Sequence, residues 1–292
     1  MNEQRPPQPP TATDLAAALT AYRSEATFAS VQTPRHRLDY AVWGESAEPP
    51  VVLIHGMADQ KQSFAMLMQR LVQGGRRCIA YELADGLHDG ARLSRYGHDD
   101  FAADLVALLD HLKLDAVDPC GCSFGSTVTL KALTLFPQRF RKVVLQGGFA
   151  HRDFTALETG MAMIARFLPG TMAGMPKRKE VMAEQTLPQL PECPQEIFEF
   201  LLDCSGRTPV RTASHRASIL RKLDLRPSLP RIGHEVLLIG GDRDGLVPRS
   251  CEAALEAGLP NVRRIEIAPG GHYPQYAAPS TMADAMLAFL RG

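Results

Sequence analysis

The sequence has no apolar run near the roughly 18 residues that a membrane-spanning helix needs. Its start, Met1 to Pro10, is polar and proline-rich, without the apolar stretch of a secretory leader. Neither charge is in excess: 32 Lys and Arg meet 32 Asp and Glu, which removes the electrostatic case for nucleic acid or an anionic membrane as partner. The six cysteines (Cys78, Cys120, Cys122, Cys193, Cys204 and Cys251) form no C-x-x-C pair, and none sits with a His at zinc spacing. Free thiols in a reducing, cytoplasmic setting are expected, with no metal and no cofactor. The oligomeric state has no signature in the sequence.

What is present fits a soluble globular protein: 45% hydrophobic and 22% charged residues over 292 positions, enough for one large α/β domain with an insertion. Residues 1–12 read as a disordered tail. From Asp14 to Ala26, Leu15, Ala18, Leu19 and Tyr22 fall at helical spacing. Arg37 to Trp43 alternates as a strand does. Val51-Val52-Leu53-Ile54, stopped by His55-Gly56, reads as a strand buried on both faces. Helix and strand then alternate. Helical faces run through Phe64, Leu67, Met68 and Leu71, and through Phe101, Leu105, Leu108 and Leu112. Strands are expected at Cys78–Leu83, Ala116–Cys122 and Lys142–Gln146, with a helix from Phe124 to Phe136. The rhythm breaks over 150–230, a stretch rich in Met, Phe and Pro that predicts short helices joined by bends. It resumes with strands at Glu235–Gly240 and Val262–Ile267, and a last helix through Met282, Met286, Phe289 and Leu290. Such alternation implies a mostly parallel sheet covered by helices, with all strand C-termini on one edge, where sites in open α/β sheets gather. The expected organisation is an α/β core from 13–149 and 231–292, with 150–230 inserted as a helical cap.

Gly121-Cys122-Ser123-Phe124-Gly125 matches G-x-S-x-G. With Gly and Ser each near 7% of residues, the pattern arises by chance in about one 300-residue chain in ten, so its setting must decide. Here it joins a predicted strand to a predicted helix, as a nucleophile elbow requires. There the central hydroxyl stands at a helix N-terminus, where N–H groups and the dipole favour developing negative charge. A serine needs a base and an orienter. Gly270-Gly271-His272 follows the last predicted strand, and Gly240-Gly241-Asp242-Arg243-Asp244 follows the one before it. The chain order is therefore Ser, Asp, His, with Asp242 and Asp244 both open as the acid. Cys122 has Cys120 and Phe124 at its ±2 positions, which do not fit an elbow.

From about Arg35 onward the chain resembles the α/β-hydrolase superfamily, in the branch with a His-Gly-x oxyanion loop and a helical cap. The resemblance rests on His55-Gly56-Met57, Gly121-Cys-Ser-Phe-Gly125, Asp244-Gly-Leu-Val-Pro248 and Gly271-His272, with Tyr96 to Leu112, including Asp104, similar to the segment before the elbow. It implies an eight-stranded, mostly parallel sheet. It also implies Ser123 as nucleophile, His272 as base and later acid, and the backbone N–H groups of Met57 and Phe124 as the oxyanion hole. Asp244 is preferred as the acid because the family's acid sits four residues before a proline, here Pro248; Asp242 is the alternative. His55 is implied to brace the oxyanion loop. The pattern departs at Cys122, at Pro119 within an unusually polar strand with Asp115 and Asp118, and at Asp85-Gly-Leu-His-Asp-Gly90.

The activity so implied is hydrolysis of a small to medium apolar carboxylic ester through an acyl-serine. Thioester, amide or carbon–carbon bond hydrolysis and acyl transfer use the same triad. A non-catalytic ligand-binding protein on this fold is the competing class, and such proteins commonly lack a triad member. The Met and Phe residues of 150–230 would wall an apolar pocket, and Lys177-Arg178-Lys179 reads as a solvated face.

Overall fold

The computed structural model describes residues 9–190 and 192–292. Residues 1–8 of the expected tail lie outside the described residues. The remainder of that tail is ordered, contrary to expectation: Pro10 is buried and Thr11 caps the first helix, its hydroxyl accepting from the Asp14 amide while Asp14 accepts from the Thr11 amide. Helix α1 (Ala12–Glu25) leads into strands β1 (Thr27–Gln32), β2 (Arg37–Trp43) and β3 (Val51–Ile54). These are followed by α2 (Ala65–Gln73), β4 (Cys78–Tyr81), α3 (His98–His111), β5 (Asp118–Cys122), α4 (Phe124–Leu135) and β6 (Val143–Gln146). Helices α5 (Ala156–Ala165), α6 (Arg178–Thr186), α7 (Gln195–Gly206) and α8 (Val210–Leu220) come next, joined by short 3-10 turns. The chain closes with β7 (Val236–Gly241), α9 (Arg249–Gly258), β8 (Val262–Ile267), α10 (Pro274–Ala277) and α11 (Pro279–Arg291).

The eight strands form one sheet, as expected, and its order is β1-β2-β4-β3-β5-β6-β7-β8. Only β2 runs antiparallel to its neighbours; from β4 to β8 every pair is parallel. Every side chain of β3, β4, β5 and β6 is buried, because helices cover both faces. One face packs Leu67, Met68 and Leu71 of α2 against Met282 and Met286 of α11. The other packs Phe101, Leu105 and Leu108 of α3 against Phe124 and Val128 of α4. Burying each such side chain contributes about 1.5–3 kcal/mol.

β1 escaped the sequence pattern for a simple reason: it is an edge strand, exposed along nearly all its length, so no apolar alternation marks it. The polar β5 has a local explanation. Asp118 is buried against Arg76, Nη2 to Oδ2 at 2.5 Å, and also accepts the Lys142 amide at 3.1 Å. Pro119 costs little, since pairing with β6 begins only at Cys120. No helix among the described residues is long and apolar enough to cross a membrane.

The loop from Asp85 to Gly97 has its own scaffold. Asp89 accepts the amides of Asp85, Gly86 and Ala91, and Asp85 accepts those of Leu87 and His88. His36 anchors this loop to α3: its ring nitrogens face Asp89 at 3.3 Å and Asp104 at 3.1 Å, and Asp104 also takes Arg35 at 2.8 Å and the Tyr96 hydroxyl. Burial alone would lower the pKa of His36, but the two carboxylates raise it from 6.5 to about 9. A folded pKa above the unfolded value stabilises fully below about 6.5, and the gain is lost as pH rises through about 9. His36→Gln should therefore lower Tm most at pH 6, and the gap to wild type should narrow by pH 9.5. Thermal unfolding across that range, followed by circular dichroism, measures it.

Candidate active site

All the parallel strands end on one edge, and the residues singled out in the sequence lie there. Ser123 occupies the turn between β5 and α4 with φ 52° and ψ −117°, a left-handed conformation that a non-glycine residue adopts only under constraint. The constraint is close packing of the elbow. A Cβ on Gly121 would run into the Gly125 carbonyl and Thr129, and one on Gly125 would run into the backbone of Ile54 and His55 in and after β3. The Ser123 amide donates to the Gln146 carbonyl of β6 at 2.8 Å, which ties the turn across the sheet.

His272 lies on the loop after β8 and is 4% exposed. Its Nδ1 meets Asp244 Oδ2, on the loop after β7, at 2.7 Å. The other oxygen of Asp244 accepts the amides of Leu246 and Val247, both at 2.9 Å. Burial would push the Asp244 pKa up. The His272 bond and charge, with the two amides, overcome it and hold the carboxyl below its usual 3.8. Asp242 is used otherwise: it accepts the Gly270 amide at 2.8 Å and so splices the two loops together. The geometry thus separates the two candidate acids, since Asp244 is the one on the imidazole. Ser123 Oγ makes no hydrogen bond to the ring among the described residues, but Ser123 and His272 share the walls of two cavities. Such catalytic bonds often tighten only around substrate.

Gly147 makes room for the pair. It has φ +50°, and a Cβ there would sit 2.8 Å from Cε1 and 2.9 Å from Nδ1 of His272. Burial and the neighbouring Cys120 thiol keep Cys122 an uncharged thiol, a poor nucleophile.

Met57 and Phe124 flank Ser123. Phe124 opens α4, so its N–H belongs to the first turn, which has no intrahelical acceptor. The Met57 loop is braced twice. His55 faces the Gly56 carbonyl through Nδ1 at 2.9 Å, and its Nε2 accepts the Leu83 amide at 3.1 Å, so Nδ1 carries the proton. Arg216 of α8, fully buried, donates to the carbonyls of Met57 (2.5 Å), Leu83 (3.0 Å) and Ala84 (3.1 Å). Burial lowers its pKa to about 10, which leaves it charged at neutral pH.

A second inserted residue reaches the loops of His272 and Asp244. Gln189, 4% exposed, accepts the amides of His272 (3.0 Å) and Gly245 (3.2 Å) on one oxygen. Nothing in the sequence marked Arg216 or Gln189, because both lie where helical periodicity is weak. Their role comes from hydrogen bonds across the fold.

The two cavities meet at Met57, Ser123, Met172, Leu246 and His272. One, about 590 Å³, is walled by apolar side chains of α5 and α8 with Phe149, Phe154 and Val247. The other, about 220 Å³, is bounded by Gln146, Tyr273 and Gln275 from the core and by Arg178, Gln185 and Ser205 from the insertion. This corrects the reading of Lys177-Arg178-Lys179 as a solvated face: both lysines are exposed, but Arg178 is half-buried and lines the smaller cavity.

A family described as "alpha/beta hydrolase fold" matches residues 49–191. The chain is 25% identical over 260 residues to the dihydrolipoyllysine-residue acetyltransferase component of the acetoin cleaving system of Pseudomonas putida, covering 85% of this chain and 65% of that one, just under two thirds of its length. It is 26% identical over 209 residues to 3-oxoadipate enol-lactonase 2 of Acinetobacter baylyi, covering 71% and 76% respectively. The solved esterase of Exiguobacterium antarcticum superposes with a TM-score of 0.80 at 19% identity, over 91% of this chain and 100% of that one. The family match, the sheet order and the superposition together give the chain the α/β-hydrolase fold.

Proposed function

We propose that the protein hydrolyses a carboxylic ester of a small molecule through an acyl-serine intermediate. One observation carries the reading: Ser123, held at φ 52°, shares two cavities with a histidine already paired to a buried carboxylate at 2.7 Å.

His272, its Nδ1–H held by Asp244, takes the hydroxyl proton at Nε2 while Ser123 Oγ bonds to the ester carbonyl carbon. The carbonyl oxygen becomes an oxyanion, which accepts hydrogen bonds from the N–H groups of Met57 and Phe124; one such donor is worth roughly 10² to 10³ in rate. When the bond to the alcohol breaks, His272 returns the proton to the leaving oxygen. Water then gives a proton to His272 and its hydroxide to the acyl carbon, and the departing Ser123 oxygen recovers that proton. The route draws on no cofactor. Asp244, held below the usual carboxylate range, keeps its charge through the acid side of the pH profile and so supports the imidazolium at each step. The apolar walls of the larger cavity suit an apolar group on one side of the ester.

A fluorophosphonate probe should label wild type at Ser123 and leave Ser123→Ala unlabelled; a folded wild type that resists the probe would overturn the reading. A series of esters of one short acid with alcohols of increasing chain length should show turnover that rises with apolar length until the wider cavity is filled. Asp244→Asn should lower kcat by about 10³ to 10⁴ through the wrong imidazole tautomer, whereas Asp242→Asn should cost less than about tenfold. Gly147→Ala should lower kcat by at least about 10², because its Cβ displaces the His272 ring. Steady-state kinetics of the purified variants, with circular dichroism to confirm folding, tests both.

A further inference from the structure

Arg178 is an arginine without a carboxylate. Among the described residues no acidic side chain lies within 4.0 Å of its guanidinium. Its bonded nitrogen, Nη2, donates to the Leu202 carbonyl at 2.9 Å and to the Ser205 hydroxyl, both neutral. Its Nε is buried with no partner. These bonds fix the planar group in place without neutralising it, and they leave Nη1 with no hydrogen bond among the described residues. Held this way, Arg178 is one of the residues lining the 220 Å³ cavity that Ser123 and His272 also line. Partial burial lowers its pKa, as expected of a cation with no counter-charge beside it. Asp59 borders the same cavity but is occupied: its Oδ1 accepts the Tyr276 hydroxyl and the Gln60 amide, both at 2.9 Å, and burial raises its pKa.

A half-buried guanidinium that lines a cavity and lacks a partner carboxylate is suited to a planar anion. We infer that Arg178 binds a carboxylate on the acyl half of the substrate, so that the natural ester is a half-ester of a short dicarboxylic acid. The cavity sizes set the orientation. The alcohol leaves first and fits the wider apolar cavity, while the acyl arm stays on Ser123 in the narrower one beside Arg178. This inference rests on the ester-hydrolase reading for its kinetics, but not for its binding.

The test compares mono-p-nitrophenyl glutarate with p-nitrophenyl pentanoate, equal in length and different in charge. Wild type should favour the anionic ester in kcat/KM by at least about tenfold, and Arg178→Met should lower kcat/KM on it by about 10- to 100-fold while changing the neutral ester less than about threefold. Arg178→Lys, which keeps the charge and loses the fork, should fall between. Raising NaCl from about 0.05 to 0.5 M should weaken only the anionic ester. A wild type that favours the neutral ester, or an Arg178→Lys variant that loses both esters equally, would overturn the assignment. Calorimetry of monomethyl glutarate with folded Ser123→Ala, which needs no turnover, separates the two readings. Binding that weakens at least about tenfold in Ser123→Ala/Arg178→Met supports Arg178 even where neither ester is hydrolysed and no probe labels Ser123. Absence of binding refutes the carboxylate site, and hydrolysis of the neutral ester then leaves the hydrolase reading standing.

Discussion

Ser123 stands proud of the sheet because the first turn of α4 lies against the backbone of β3, with only hydrogen atoms at Gly121 and Gly125 to separate the chains. That approach forces the left-handed φ at Ser123 and aims α4 along β5. It also places the free N–H of Phe124 beside the Met57 loop, which continues directly from β3. A larger residue would push α4 away from β5 at Gly121 or from β3 at Gly125, and carry Ser123 away from the Met57 loop. The strain is stored locally and is outweighed by burial around it: Leu53, Ile54, Phe124 and Val128 are all fully buried.

His272 and Asp244 need different support, because they sit on loops and not on regular elements. The core supplies part of it: Gln146 donates to the His272 carbonyl at 3.0 Å, and Asp242 splices the two loops. The insertion supplies the rest. Gln189 closes over Gly271 and takes the amides on either side of the Asp–His contact, while Arg216 fixes the carbonyl of Met57. A buried arginine bound only to neutral carbonyls is expensive to desolvate. Three carbonyl acceptors offset part of that cost, and in return the cation spans the loops after β3 and β4 at one point. The inserted helices thus hold the loops of His272 and Met57 as well as walling the cavities beside Ser123.

How much of this was legible in the sequence follows from which forces leave a local trace. The buried parallel strands do: Val51–Ile54 could hardly be anything else, and the helix through Phe101, Leu105 and Leu108 declares its inner face. Ser123 and His272 stood out because each follows a recognisable strand; the strand before His272 left Asp242 and Asp244 both open, and only the family resemblance favoured Asp244. β1 was not, since an exposed edge strand needs no apolar period. Arg178, Gln189 and Arg216 were not, since their meaning lies in acceptors far along the chain or in an acceptor that is missing. Asp118 looked out of place in a central strand until Arg76 was found beside it, 42 residues away in sequence.

The same layout bears on how such a chain can change over evolutionary time. β6 ends at Gln146 and β7 begins at Val236, yet the two lie side by side in the sheet, so the whole insertion is one loop closed at its base. Closing a loop costs free energy only as the logarithm of its length, about 0.6 kcal/mol for each doubling. The sheet is therefore nearly indifferent to how long the segment between Gln146 and Val236 is or how it folds. Insertions and deletions there alter the shape of the chamber over Ser123 while the strand register beneath stays put. What limits them is the need to keep a hydrogen-bond acceptor near His272 and a donor near Met57, which confines free variation to the stretches between Gln189 and Arg216 and before them.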